Sequence, residues 1–319
     1  MCTVLREILE GDSIPSYDED DNSINLNPDS LDINKFDRGK KFFQKNVGQC
    51  LIAMLYSLVC GLSIKRFLDV LVCTGRTSTP ENSIKRYLNT TMHVLKWHYG
   101  NVWDSTSKAN HSICSVRNMH KSARILMTGS IDRTRFDDKT SDEKREKCVY
   151  ISQYDMGLVQ CGFMGAIIMY PDKFGIRCSQ RDLDDYVYFW RWIGYLLGID
   201  DKYNICIGGY YSALEICKAI DKNILLTSLA DPPPDFYPMA KAFTDGTKLI
   251  SYIPCWTVES IVARYFHATG NLYPHQISCG DWTRIYFIRS FLASMYYFSS
   301  FASFINAGIE LSFQRHKIT

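Results

Sequence analysis

No two of the 12 cysteines stand in a C-x-x-C pair, so the spacing expected of a zinc knot, an iron–sulfur cluster or a thioredoxin-like couple is missing. Charge of one sign is missing too. Lys plus Arg number 36 against 34 for Asp plus Glu, a formal net charge of +2, and no global field draws the chain to nucleic acid, which is set aside as a partner. The opening MCTVLREILEGDS has no long apolar core of the kind that marks a secretory signal. The expectation is a reducing, intracellular setting, cytoplasmic or at the endoplasmic-reticulum membrane, with buried thiols rather than a disulfide framework. No internal repeat and no run of β-type alternation is present. What is present is apolar and aromatic mass: 46% hydrophobic and 13% aromatic residues in 319, enough to pack a sizeable core and still enclose a flat apolar ligand.

The pattern along the chain is that of helices. Residues 11–35, GDSIPSYDEDDNSINLNPDSLDINK, are rich in Asp, Asn, Ser and Pro and bury too little to offset their ordering entropy, so residues 1–35 are read as a mobile acidic lead-in. From Phe36 the period is helical, with QCLIAMLYSLVCGLSIKRFLDVLVC, SIKRYLNTTMHVLKWHY, SVRNMHKSARILM, QYDMGLVQCGFMGAIIMY and DLDDYVYFWRWIGYLLGI in turn. A charged spacer, DRTRFDDKTSDEKREKC, interrupts them, and Pro232, Pro233, Pro234 and Pro238 end the run or carry a rigid loop. This gives an all-α domain over residues 36–270 and an aromatic-rich helical extension over 271–319.

Two segments invite a membrane reading. The apolar stretch from Gly48 to Ile64 is short against the roughly 20 residues of a bilayer crossing, which favours a buried core helix. The stretch YFIRSFLASMYYFSSFASFINAG, residues 286–308, contains Arg289 and many serines and aromatics, features of an interfacial helix and of peripheral membrane contact.

One constellation bears on chemistry. In SVRNMHKSAR, a helix brings Arg117, His120 and Arg124 onto one face, at i−3, i and i+4. A neutral imidazole is a good ligand for haem iron, and flanking guanidiniums suit propionates or orient the ligand through nearby carbonyls. On these ten residues alone, a solvated basic face with an incidental histidine is the favoured reading, because such spacings arise readily by chance. Upstream, Arg86, Asn89 and Thr90 lie at i, i+3 and i+4, followed by His93 and Trp97. The stripe sets hydrogen-bonding groups beside large apolar neighbours, as in a distal pocket or on an ordinary exposed helix face. Gly157, Gly162 and Gly165 mark either close helix approach or a break, and Gly194 and Gly198 read as helix contact points. Trp190, Trp192 and Tyr195 read as core.

The R-x-x-N-T spacing at Arg86, Asn89 and Thr90, followed by R-x-x-H-x-x-x-R from Arg117, resembles the haem site of the latex clearing proteins. These bacterial rubber oxygenases belong to a wider family that includes ER-bound oxygenases of mycophenolic acid biosynthesis. Further similarity lies in LVCTGR at residues 71–76, around Gln153 and Asp155, and in YVYFWRWIGYLLGID at 186–200. The resemblance spans roughly residues 36–265, and its weight comes from the order of several motifs. It implies an all-α, globin-like helical core with additional helices around a buried haem pocket.

It also implies haem b as cofactor, with His120 as proximal iron ligand and Arg117 and Arg124 holding propionates or the ligand helix. Arg86, Asn89 and Thr90 fall at catalytic, distal positions. Asn89 departs from the lysine that rubber oxygenases place there, and their proposed glutamate base has no clear counterpart, Asp69 being the nearest acid. The implied activity is a haem-dependent oxygenase, an oxidoreductase using dioxygen to cleave a carbon–carbon double bond of an apolar isoprenoid or lipid-like substrate. A haem-binding sensor or electron carrier and a haem-free helical interaction protein stand as alternatives.

Overall fold

The computed structural model describes residues 10–16, 25–26, 28–75, 79–137, 149–250 and 256–315, and among them there is no β-strand. The fold is all-α, as expected. Asp32 starts α1 (Ile33–Lys45), its carboxylate accepting from the Lys35 N–H at 3.0 Å, a side-chain cap for an otherwise orphan donor. Nearly uniformly apolar α2 (Val47–Gly61) runs through the interior, with Cys50, Ala53, Tyr56 and Val59 all at 1% exposure or less. It turns by 88° into α3 (Lys65–Cys73). No single described helix is long and apolar enough to cross a membrane; α2 and α3 together pass on length and composition only.

Pro80 sits in the first turn of α4 (Pro80–Tyr99), where its missing N–H costs nothing, and Thr79 Oγ1 accepts from the Asn82 N–H at 3.3 Å. A short connection leads to α5 (Lys108–Asp137), which carries the 115–124 motif in continuous helix and extends past it into the charged spacer. The rest of that spacer, residues 138–148, lies outside the described residues, as does Arg76 of LVCTGR. Reciprocal Ser152–Asp155 and Ser179–Asp182 boxes begin α6 (Gln153–Met169) and α7 (Gln180–Leu196).

Helices α1 and α7 pack most closely of all. A Cβ on Gly39 would collide with the Asp185 carbonyl oxygen and lie 2.7 Å from Phe189 Cβ, so only glycine allows the two backbones this approach. Beside that contact, the His98 ring of α4 stacks on Phe43 at 3.7 Å and Phe189 at 4.3 Å between centroids. Trp190 closes the block at 2% exposure.

The remaining helices are α8 (Gly209–Ile220), continued through a π-turn into α9 (Leu226–Ala230), then α10 (Phe236–Ile250), α11 (Val258–Ala268), α12 (Cys279–Tyr297) and α13 (Ser299–Arg315). The Asp221 carboxylate in the π-turn accepts from the hydroxyls of Tyr170 at 2.8 Å and Tyr265 at 2.7 Å. Where the sequence suggests one helix over 286–308, the chain breaks at Phe298, whose extended backbone (φ −112°, ψ 91°) separates α12 from α13. Of the acidic lead-in, residues 10–16 dock on the start of α6: Gly11 and Ser16 are buried, Pro15 forms an isolated bridge with Ser152, and Asp12 pairs with Arg66.

Candidate functional site

A cavity of about 1190 Å³ opens among α2 to α7, larger than most small-molecule pockets at roughly 300–1,000 Å³. Its apolar walls include Leu58, Leu62, Phe67, Met92, Phe163 and Trp190. Into it the fold brings Arg86, Asn89 and Thr90 from α4 and His120 from α5. The two motifs, some thirty residues apart in sequence, therefore share one chamber because α4 and α5 pack side by side. Asn89 stands on the exposed rim, while Arg86, Thr90 and His120 are half-buried.

His120 differs in its surroundings from a solvated surface histidine. Its Nδ1 is shielded from solvent without a hydrogen-bond partner. Burial, with the positive charge of Arg124 adding to it, lowers its pKa to about 4. Burial therefore favours the neutral imidazole at physiological pH, with one ring nitrogen unprotonated. Among the described residues, no group of three or more His, Cys, Asp or Glu side chains is placed to hold a metal ion, and the imidazoles that line the cavity are those of His93, His111 and His120.

The two flanking arginines are not cavity walls. Arg117, 6% exposed, donates from Nη1 to the Leu196 carbonyl at 3.2 Å. Arg124 donates from Nη2 to Ser16 Oγ and to the Ile151 carbonyl, the latter at 3.3 Å. Both therefore tie the His120-bearing helix α5 to neighbouring backbone, one at the end of α7 and one at the start of α6. Ile151 is held at φ 55°, a left-handed conformation costly for a β-branched residue and one that strained sites retain, and it lines the cavity.

His93 also lines the cavity, in a different state. Ser112 Oγ lies 2.7 Å from its Nδ1 and accepts from Trp97 Nε1 at 3.0 Å. The hydroxyl can take either role toward Nδ1, so this link anchors the His93 ring whichever nitrogen carries the proton. His93 is thus tied down where the His120 Nδ1 has no partner. Ser112 sits eight residues before His120 with no motif to announce it.

The other group that sequence reading did not assemble is Arg66 with Asp155. Arg66 donates to both carboxylate oxygens of Asp155 at 2.8 Å, and Nη1 meets Asp12 at 2.8 Å. Both Arg66 and Asp155 line the cavity, so the acid nearest the site is Asp155 rather than Asp69, already occupied as a cap and ion-pair partner. Trp190 is core and cavity wall at once. Of the glycines, Gly194 is a close-approach point, where a Cβ would lie 2.6 Å from Gln160 Nε2 of α6, while Gly165 is crowded mainly by Cys161 of its own helix. Gly162 is not: a Cβ there would meet nothing within 4 Å, so its bareness widens the cavity. Gly198, at φ 90°, serves the turn after α7 rather than a helix contact.

The chain matches the family model described as ER-bound oxygenase mpaB/B'/rubber oxygenase, catalytic domain, over residues 45–204. It belongs to the mpaB/rubber oxygenase family. The matched span is narrower than the resemblance seen by eye, yet it runs from the end of α1 past α7 and contains the motif residues of both helices facing the cavity. No curated protein and no solved structure matches the chain significantly. Membership in the mpaB/rubber oxygenase family makes residues 45–204 an oxygenase-type catalytic domain, in an oxidoreductase class.

Proposed function

We propose that this member of the family is a haem b-dependent oxygenase acting on an apolar, isoprenoid or lipid-like substrate, with His120 as the proximal iron ligand. One observation carries the reading: a neutral imidazole, shielded and unpartnered at Nδ1, on the wall of an apolar cavity that also receives Arg86 and Thr90. The residues present fit a haem in the one respect the protein must supply, an axial nitrogen in a roomy apolar chamber. Bound haem would supply the dioxygen chemistry that no side chain here performs.

The chain's own residues have distinct tasks in this reading. Arg117 and Arg124 hold the helix that bears His120 by engaging backbone carbonyls, a fixed orientation that a ligand needs. Arg86 and Thr90 place a cation and a hydroxyl in the chamber, and His93, anchored by Ser112, adds a further polar group. Apolar walls exclude water and accept a hydrocarbon chain. The expected reaction is oxidative cleavage of a carbon–carbon double bond.

Purified protein loaded with haem b should consume dioxygen only when an apolar alkene is supplied. Haem binding with no substrate-dependent uptake across a panel of isoprenoid and unsaturated lipid substrates would instead make it a sensor or electron carrier.

A further inference from the structure

A second cavity, of about 390 Å³, lies on the far side of α1, between that helix and the start of α7. Five cations surround it: Arg38, Lys41 and Lys45 from α1, Arg177 from the loop before α7, and Arg181 from its first turn. Only two carboxylates share the space, and both are spoken for. Asp185 receives Arg38 Nε at 2.6 Å and Nη2 at 3.0 Å, while Asp182 accepts from the Ser179 N–H and hydroxyl at 2.8 Å as the helix cap. Lys41, Lys45, Arg177 and Arg181 are exposed, and their side chains have neither hydrogen-bond nor ion-pair partners among the described residues.

In a chain whose net charge is only +2, five cations against two carboxylates around one concavity leave a local excess of positive charge. Solubility alone asks for dispersed charge of both signs, not convergence. Arg38 is fixed by Asp185, and Asn46, donating to the Phe42 carbonyl at 2.9 Å, closes the floor. The concavity is thus rigid on its α1 side and cationic at its rim.

We propose that this cavity binds a phosphate group, a phosphomonoester or phosphodiester, with Arg177 and Arg181 as the forked donors and Lys41 and Lys45 as the point charges. The site is separate from the His120 chamber and does not depend on haem. Its source is either a phospholipid headgroup or a soluble phosphorylated compound.

The test uses the full chain, the double variant Arg177→Gln with Arg181→Gln, and Lys222→Gln as an exposed-lysine control. Inorganic phosphate binding is followed by calorimetry, and retention on vesicles of phosphatidylcholine with and without phosphatidic acid by co-sedimentation. Phosphate binding that weakens at least about tenfold in the double variant and not in the control supports the site. Added retention on phosphatidic acid vesicles, lost in the same variant, assigns the group to a lipid; phosphate binding without vesicle retention assigns it to a soluble compound. No binding of either probe, or equal binding by parent and double variant, overturns the proposal. Unchanged melting temperature in the variant guards against misfolding, which its exposed positions do not invite.

Discussion

Two histidines on neighbouring helices show how one residue type can sit in a packed block or on a cavity wall. His98 is fully buried, its Nδ1 bonded to the Val94 carbonyl at 2.8 Å and its ring clamped by Phe43 and Phe189. His120 has no such clamp and faces a cavity of about 1190 Å³. Burial depresses both, to a pKa of about 3 for His98 and about 4 for His120. What separates them is not protonation but what lies in front of the ring: close-packed aromatics in one region, apolar space in the other.

The largest effect that sharpens this contrast falls in the packed region. Trp190→Ala removes a side chain that touches His98, Tyr186, Phe189, Phe163 and Trp97 and should cost about 4 kcal/mol in urea unfolding. Gly39→Ala should follow at about 2–3 kcal/mol, because the obstacle is the Asp185 backbone and cannot swing away.

Acid should weaken the packed region next. The His98 pKa is lower folded than unfolded, so protons favour the unfolded chain. Its stabilisation is complete above pH 6.5 and declines as pH falls toward 3. Denaturation midpoints measured between pH 7 and 4 should fall by the equivalent of a few kcal/mol, and His98→Phe, which keeps a stacked ring, should flatten that slope. The His120 side chain titrates with the same sign, so the cavity region is told apart by substitution instead. Gly162→Leu adds a large side chain where nothing stands within 4 Å, and stability should stay within about 1 kcal/mol of the parent while haem uptake drops. A loss of several kcal/mol there would mean that the cavity closes in solution and that the contrast is false.

The periodicity of the sequence was enough for helices and for a buried α2, because apolar repeats report local structure. The two motifs were legible for the same reason: three-, four- and seven-residue spacings place side chains on helix faces. That the faces of α4 and α5 line a common chamber depends on packing at α1 and α7, where Gly39 and the His98 clamp set distances that no local pattern encodes. Arg117 and Arg124 show the limit most clearly. Their spacing to His120 suggests guanidiniums facing a cofactor, yet their donors reach the carbonyls of Leu196 and Ile151, partners brought near only by tertiary structure. The Ser112–His93–Trp97 link and the Arg66–Asp155 pair were likewise invisible, since each joins separate helices without a motif. The break at Phe298 went unseen because nothing in that run of Tyr, Phe and Ser is a helix breaker.

The claim on which the account rests is that His120, and not the better-anchored His93, is the iron ligand. Reconstitution with haem b, followed by visible spectra of the parent, His120→Ala, His93→Ala and Arg124→Ala, tests it directly. The predicted result is a Soret band in the parent, its loss or marked shift in His120→Ala, a milder weakening of retention in Arg124→Ala, and retention in His93→Ala. A band that survives His120→Ala and disappears in His93→Ala, or a parent that takes up no haem at all, would contradict it.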